Sequence, residues 1–187
     1  RFYPDTHSSA PGVSDLLTLP RALPRMEALL DEEWANRASD LPLRTRDEAL
    51  VLASIIEKET GKPEERALIA GVFVNRLRVG MRLQTDPTVI YGLGDKFTGN
   101  LQVKHLRQYS PYNTYVIKGL PPSTIAMPGR DAVHAALHPD STDALFFVAR
   151  GDGSHVFSRT LDQHNQAVRQ YQLNGRARNS APATRTR

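Results

Sequence analysis

Two carboxylates close the segment Leu52-Ala53-Ser54-Ile55-Ile56-Glu57-Lys58-Glu59-Thr60, at the end of an otherwise apolar run. On a helix, Glu59 falls three and four residues after Ile56 and Ile55 and seven after Leu52. It therefore continues the apolar stripe toward the core or a cleft, whereas Glu57 lies over Ala53 and Ser54, nearer the flank. A carboxyl group held against apolar walls resists ionising, so its pKa rises from the ordinary value of about 4.3. The negative end of the helix dipole pushes the same way. A Glu that keeps its proton near neutral pH can act as a general acid. Spacing alone favours a plainer reading, in which Glu59 is solvated in a last turn or salt-bridged to a Lys or Arg.

Other residues carry weaker chemical signals. Asn75 and Arg76 follow the stripe Leu68, Ile69, Val72 and Phe73, and half-buried polar groups there need partners, either a substrate or the backbone of the next loop. His134 and His138 have the i, i+4 spacing of two metal ligands on one helix face. No H-E-x-x-H accompanies them and Pro139 follows at once, so they are read as helix-end histidines and no metal is expected. Gly92-Leu93-Gly94 with Gly99 matches neither a dinucleotide fingerprint nor a P-loop, and no G-x-S-x-G is present. Asp152 sits in a Gly-rich turn, where Asp is favoured for backbone reasons.

The elements that must hold these residues can be read in outline. Residues 1–20 form an extended, turn-rich lead. A helix is expected from about Leu23 to Ala38, with Leu23, Met26, Leu30 and Trp34 inward and Asp31, Glu32 and Glu33 facing water. Thr45 and Glu48 make a T-x-x-E capping box for the helix that carries Glu59, and Gly61 is its expected C′ residue. Pro63 opens another helix, ending at Gly80. Residues 81–127 read as loops rich in polar and aromatic residues, a candidate binding surface. A helix from Arg130 to Leu137 follows, then a hairpin of strands 145–150 and 155–160, then a helix capped by Thr160 and Gln163 and running to about Leu173. Helices, then loops, then a hairpin and a last helix make an α+β fold, helices packed with a small antiparallel sheet that includes a C-terminal β-hairpin.

Composition sets the outer bounds. A chain of 187 residues suits one domain with a real core. The absence of Cys excludes a disulfide scaffold, a thiolate metal site and a Cys nucleophile. No apolar run approaches the ~18 residues of a membrane span, and no signal-peptide pattern opens the chain. It begins Arg1-Phe2-Tyr3 rather than with Met, as expected of a processed or trimmed piece. The net charge of +4 and pI near 9.6 suggest a nucleic-acid binder. Residues 174–187, however, hold four Arg and no acid, and the rest of the chain balances 20 basic against 20 acidic residues. A solvated, disordered basic tail is expected at 174–187, and no nucleic-acid partner. Residues 66–118 carry eight basic side chains against Asp86 and Asp95, which anticipates a mildly basic groove.

Several strings in order resemble the endolytic murein transglycosylase family of YceG-like proteins. They are Phe2-Tyr3-Pro4-Asp5-Thr6, Ala53-Ser54-Ile55-Ile56-Glu57-Lys58-Glu59-Thr60, Val72-Phe73-Val74-Asn75-Arg76-Leu77 and Met81 through Gly92 with its Leu83-Gln84-Thr85-Asp86-Pro87-Thr88 core. Tyr112-Asn113-Thr114-Tyr115, Gly119-Leu120-Pro121-Pro122, Phe147-Val148-Ala149, His155-Val156-Phe157-Ser158 and His164-Asn165 complete the series. The resemblance covers about residues 2–172 and makes 1–173 the catalytic domain. It implies a lytic enzyme that cleaves the β-1,4 bond between N-acetylmuramic acid and N-acetylglucosamine within glycan strands, leaves 1,6-anhydromuramic ends and limits strand elongation. It also implies a native protein held in the inner membrane by an N-terminal helix, facing the periplasm, with a LysM-like domain before the catalytic one. The partners implied are peptidoglycan strands and peptidoglycan synthases, with no cofactor.

The family's catalytic Glu lies in the E-K-E-T string and is placed here on Glu59, with Glu57 as the fallback. One Glu suffices as acid and then base, because the sugar's own C6 hydroxyl attacks and no water need be held. Asp86 is the candidate second acid if the enzyme is instead a hydrolase, which needs two carboxyls; a non-catalytic glycan-binding scaffold is the other alternative. Asn75, Gln84, Asp86, Tyr112, Asn113 and Tyr115 are the implied cleft-lining residues, with Gln84 and Asn113 orienting substrate or Glu59. Amides and tyrosines suit sugar hydroxyls, N-acetyl groups and ring faces. Pro121 and Pro122 shape the backbone. His155 and His164 fall in matching strings without an assigned role.

Overall fold

The computed structural model describes Pro4 and residues 19–173. The expected lead and the basic tail lie largely or wholly outside the described residues. Helix α2 (Arg46–Glu59) is the axis of the fold, packed against α1 (Leu19–Ala35), α3 (Arg66–Arg78), α4 (Asp86–Leu93) and above all α6 (Arg130–Leu137). Its residues from Ala49 to Ile56 are all buried, the mark of a helix surrounded by neighbours rather than laid on a surface. Leu50, Leu52, Ile55 and Ile56 are at most 2% exposed, and full burial of each such side chain stabilises the fold by about 1.5–3 kcal/mol. Met26, Leu30, Ile69, Phe73, Leu83 and Leu137 complete this core from the surrounding elements.

Local chemistry fixes the ends of these helices. The Thr45 hydroxyl accepts the Glu48 N–H at 3.2 Å, as the capping box requires. The Glu48 carboxylate turns instead to Arg44, accepting its backbone N–H at 2.6 Å and its guanidinium, so the reciprocal half closes one residue upstream. At the other end Thr60, in extended conformation, terminates α2. Gly61 is not left-handed, and the expected glycine cap is absent there. That cap occurs at Gly80 (φ 66°), where Met81 N–H reaches Arg76 C=O at 2.8 Å and Gly80 N–H reaches Leu77 C=O at 3.2 Å. A single 3₁₀ turn, Pro63–Glu65, precedes α3. Within α3, a Cβ at Gly71 would sit 2.6 Å from the Asp140 carbonyl oxygen, so this face admits no side chain.

The C-terminal part follows the sequence closely. Strands β1 (Phe146–Ala149) and β2 (His155–Ser158) pair antiparallel, with Phe147 opposite Phe157 and Val148 opposite Val156. Arg150 and Ser154 close the turn, with Gly151 and Gly153 at positive φ and Asp152 accepting the Ser154 N–H at 2.8 Å. Thr160 and Gln163 form the full reciprocal box that starts α7 (Leu161–Val168), which continues into a π-helical turn, Arg169–Leu173. The architecture is α+β, with one two-stranded sheet among the described residues.

Three expectations change. Helix α1 begins at Leu19 and ends at Ala35, earlier than its apolar pattern indicates. Leu23 is 39% exposed, whereas Glu33, expected in water, is 7% exposed. The stretch 81–127 is not all loop: it holds α4, a 3₁₀ turn at Gly94–Lys96 and α5 (Val103–Arg107). Helices of eight and five residues are too short for a periodic apolar pattern to emerge. Among the described residues, no helix is long and apolar enough to cross a membrane.

Candidate active site

A cleft of about 350 Å³ opens where the C-terminal end of α2 meets the start of α4 and the hairpin. Its lining comes from two stretches of the chain, Glu59, Arg76, Gln84, Asp86 and Tyr115 from the first and Phe147, Val148, Ala149, His155, His164, Val168 and Gln172 from the second. Glu59 is half-buried, its remaining surface turned into the cleft. Burial raises its pKa above the ordinary carboxylate range, and the negative charge of Asp86 adds to the rise. A hydrogen bond from the Thr85 hydroxyl, and the charges of His155 and Arg76, oppose that rise without cancelling it. The result is a carboxyl group biased toward its protonated form in a site open to a ligand.

Thr85 reaches Glu59 because other groups hold it. It is the N-cap residue of α4, yet its side chain caps nothing; the hydroxyl is donated to Glu59 Oε2. The Thr85 N–H is donated to Thr114 Oγ1 at 3.1 Å, Thr114 and Thr88 hydroxyls meet at 2.8 Å, and the Thr88 hydroxyl is donated to the Thr85 carbonyl at 2.7 Å. All three threonines are at most 2% exposed. Gln84, the residue before, is exposed with φ 50°, the one non-glycine at positive φ among the described residues. Such backbone strain, about 1–3 kcal/mol, persists where surroundings over-determine it; here Gln84 N–H is tied to the Thr114 carbonyl at 3.2 Å.

Tyr115 donates its hydroxyl to Asp86 Oδ1 at 2.6 Å. Burial and that carboxylate hold its pKa far above the ordinary tyrosine range, so it remains a donor at all relevant pH. Arg76 is 7% exposed and gives Nε to the Leu145 carbonyl at 2.6 Å and Nη1 to the Leu83 carbonyl at 2.5 Å. Across the cleft, His155 donates both its backbone N–H (3.0 Å) and a ring nitrogen contact (Nδ1, 2.7 Å) to the two oxygens of Glu65. Burial raises the Glu65 pKa, but these His155 contacts outweigh it and leave it below the ordinary value. His164 stacks on Phe146 at 5.3 Å; burial and then Arg76 lower its pKa, and its buried Nδ1 has no hydrogen-bond partner among the described residues.

Of the residues singled out in the sequence, Glu59, Gln84, Asp86 and Tyr115 are brought together in this cleft. Asn75, Tyr112 and Asn113 are not among its lining residues. Asn75 donates to the carbonyls of Thr142 and Ala144, and Asn113, 1% exposed, donates to those of His105, Leu106 and Gln108. Tyr112 packs on Tyr91 at 4.8 Å and shares a 2.7 Å hydrogen bond with Ser123. Glu57 lies on the other flank of α2 and accepts the Gly129 N–H at 3.0 Å, at the start of α6. The cleft is not basic: Arg76 is its one Lys or Arg, beside Glu59 and Asp86. Arg66 and Arg78, from the basic stretch, pair instead with Asp131 and Asp40. Among the described residues, the cleft contains no cluster of metal-ligating side chains.

The threonine network and the two histidines are the parts of the site to which the sequence assigned no role, whereas Arg76, read as needing a partner in a substrate or the next loop, finds one in the Leu83 carbonyl. Thr85, Thr88 and Thr114 all fall inside distinctive strings, but a Thr before Asp-Pro reads as an ordinary helix cap.

Comparison with known proteins fits this geometry. An endolytic murein transglycosylase of Bacillus subtilis (strain 168) is 48% identical over 122 residues, 65% of this chain and 34% of that protein. One of Streptococcus pneumoniae serotype 2 (strain D39 / NCTC 7466) is 30% identical over 178 residues, 91% of this chain and 31% of that protein. The chain thus spans about a third of the length of the curated relatives it matches. The crystal structure of a YceG-like protein from Listeria monocytogenes superposes with a TM-score of 0.76 at 37% identity, covering 88% of this chain and 53% of the other. The sequence model of the YceG-like family matches residues 1–170, nearly all of the fold described above, and the chain belongs to that family.

Proposed function

We propose that this chain is the catalytic part of an endolytic murein transglycosylase, with Glu59 as its acid and base. The observation that carries the reading is the carboxyl group of Glu59, its pKa raised above the ordinary value by burial yet open to the cleft, with a hydroxyl donor on one oxygen. Protonated Glu59 gives its proton to the glycosidic oxygen as the bond to C1 of N-acetylmuramic acid breaks. The resulting carboxylate takes the proton of that sugar's C6 hydroxyl while O6 bonds to C1. The products are a 1,6-anhydro end and a free hydroxyl on the leaving sugar, and Glu59 is protonated again. Thr85 stabilises the carboxylate half of the cycle, and Phe147 with the neighbouring strand offers an apolar wall to a sugar face. Attachment to the inner membrane, action in the periplasm, control of strand length and association with peptidoglycan synthases belong to the same proposal, as what the family resemblance of the sequence motifs implies.

Digestion of purified glycan strands followed by mass spectrometry tests it. Anhydro ends support a transglycosylase. Ends heavier by one water indicate hydrolysis, with Asp86 as the acid beside Glu59; intact strands indicate a binding module. Glu59→Gln is expected to lower the rate by about 10²–10⁴, while Glu57→Gln, which alters the contact to Gly129, keeps most of it.

A further inference from the structure

On the far side of α2 from any role in the cleft, three ligand-type side chains converge. Glu33 on α1 is 7% exposed, and one of its oxygens, Oε2, lies 2.8 Å from His134 Nδ1 and 3.3 Å from His138 Nε2. The donor atoms of all three residues fall within 4.8 Å of one another. The two imidazole rings stack at 4.4 Å, 24° from parallel, so both present an edge to the same oxygen. We propose that Glu33, His134 and His138 form a binding site for a zinc-class divalent ion.

Three observations carry this. A zinc ion with bonds of about 2.0–2.2 Å sets tetrahedral donors about 3.3–3.6 Å apart; the two carboxylate-to-imidazole separations are 2.8 and 3.3 Å, and all three donor atoms lie within 4.8 Å of one another. Two imidazole nitrogens and one carboxylate oxygen are a donor set for zinc rather than for calcium or magnesium, which take oxygen. Finally, a buried carboxylate is costly unless compensated. His134 Nδ1 shares a hydrogen bond with Oε2, and His138 Nε2 stands 3.3 Å from the same oxygen, so both rings lie beside the one carboxylate. The His134 side chain is 58% exposed and that of His138 28%, so an ion has a route in and a fourth position for water. Binding uses the lone pairs of neutral imidazoles. Any proton on His134 Nδ1 or His138 Nε2 is released to solvent or moves to the other ring nitrogen. Zinc at this point joins α1 to the end of α6, two elements already in contact.

The site was half visible in the sequence as the i, i+4 histidine pair. The third donor comes from about a hundred residues upstream, in a position whose pattern points to water, and only the fold supplies it.

The test is Zn²⁺ titration of untagged protein by calorimetry, with Co²⁺ absorption as a second readout and thermal melts with and without Zn²⁺. The expected result is one Zn²⁺ per chain, tetrahedral Co²⁺ bands, and a melting temperature raised by the ion. His134→Ala, at an exposed position that does not threaten folding, is expected to weaken binding at least tenfold and to remove the thermal shift. His138→Ala is expected to do the same. Absence of stoichiometric binding by the parent chain overturns the proposal. So does undiminished binding by the His134→Ala, His138→Ala double variant, which puts the ion elsewhere. None of these readouts depends on glycan cleavage.

Discussion

In the proposed reaction Glu59 holds a proton at one moment and accepts one at the next, so the groups that shift its pKa set the pH range of that reaction. Burial raises that pKa and the Thr85 hydroxyl lowers it. A general acid works only while protonated, and the activity is expected to fall as pH rises through the pKa of Glu59. Thr85→Val removes the opposing hydrogen bond and moves this alkaline limb upward. It also costs the carboxylate half of the cycle a charge-assisted hydrogen bond, worth about tenfold to a hundredfold in rate. Thr85→Ser should restore both, which a merely structural role for the methyl group does not allow; pH–rate profiles of the three proteins check it. The same shift bears on stability. A carboxyl whose folded pKa is raised costs the fold nothing below its unfolded pKa, and costs it progressively more as pH climbs from there through the folded value. Glu59→Gln is thus expected to raise the melting temperature more at pH 7 than at pH 4. The position of Glu59 was legible because helical spacing alone separates it from Glu57. Thr85 was not, since nothing in a sequence tells a capping hydroxyl from one donated to a residue 26 positions away.

At the scale of elements, α3 comes unusually close to the chain around Asp140 and Thr142. Gly71→Ala weighs two effects against each other. Alanine favours a helix over glycine by about 1 kcal/mol, but the new methyl would lie 2.6 Å from the Asp140 carbonyl oxygen and 2.9 Å from the Thr142 side chain. A backbone oxygen cannot move aside cheaply, and overpacking of this kind costs about 1–3 kcal/mol. The clash is expected to win, giving a net loss of stability in chemical denaturation with the helix content unchanged. Elements announced by paired local signals were readable: α2 by its cap and apolar run, α7 by its Thr160 and Gln163 capping box, the hairpin by its Gly-Asp-Gly turn. Helix α4 was hidden because Asp86-Pro87 signals a turn as readily as a first helical turn. Its eight residues pack against α2 without a one-sided stripe to reveal them.

The whole molecule draws the lining of its cleft from two separate stretches of the chain, residues 59–115 and 147–172. Net charge gave no guide to this arrangement. The basic excess of residues 66–118 is spread into pairs such as Arg66 with Asp131, and a single buried guanidinium faces the cleft. That guanidinium, on Arg76, reaches the carbonyl of Leu83, two residues before Thr85, and the carbonyl of Leu145, one before β1. Arg76→Lys keeps the charge but not the planar fork. One of the two carbonyls loses its partner, and substrate affinity is expected to fall while the cooperative unfolding transition survives, which binding isotherms and thermal melts on the same protein separate. The fixed span of one flat cation therefore serves as a gauge block. It sets the spacing of the Leu83 and Leu145 carbonyls, and with them the two stretches of chain that line the cleft, by covalent dimensions rather than by the give of surrounding loops.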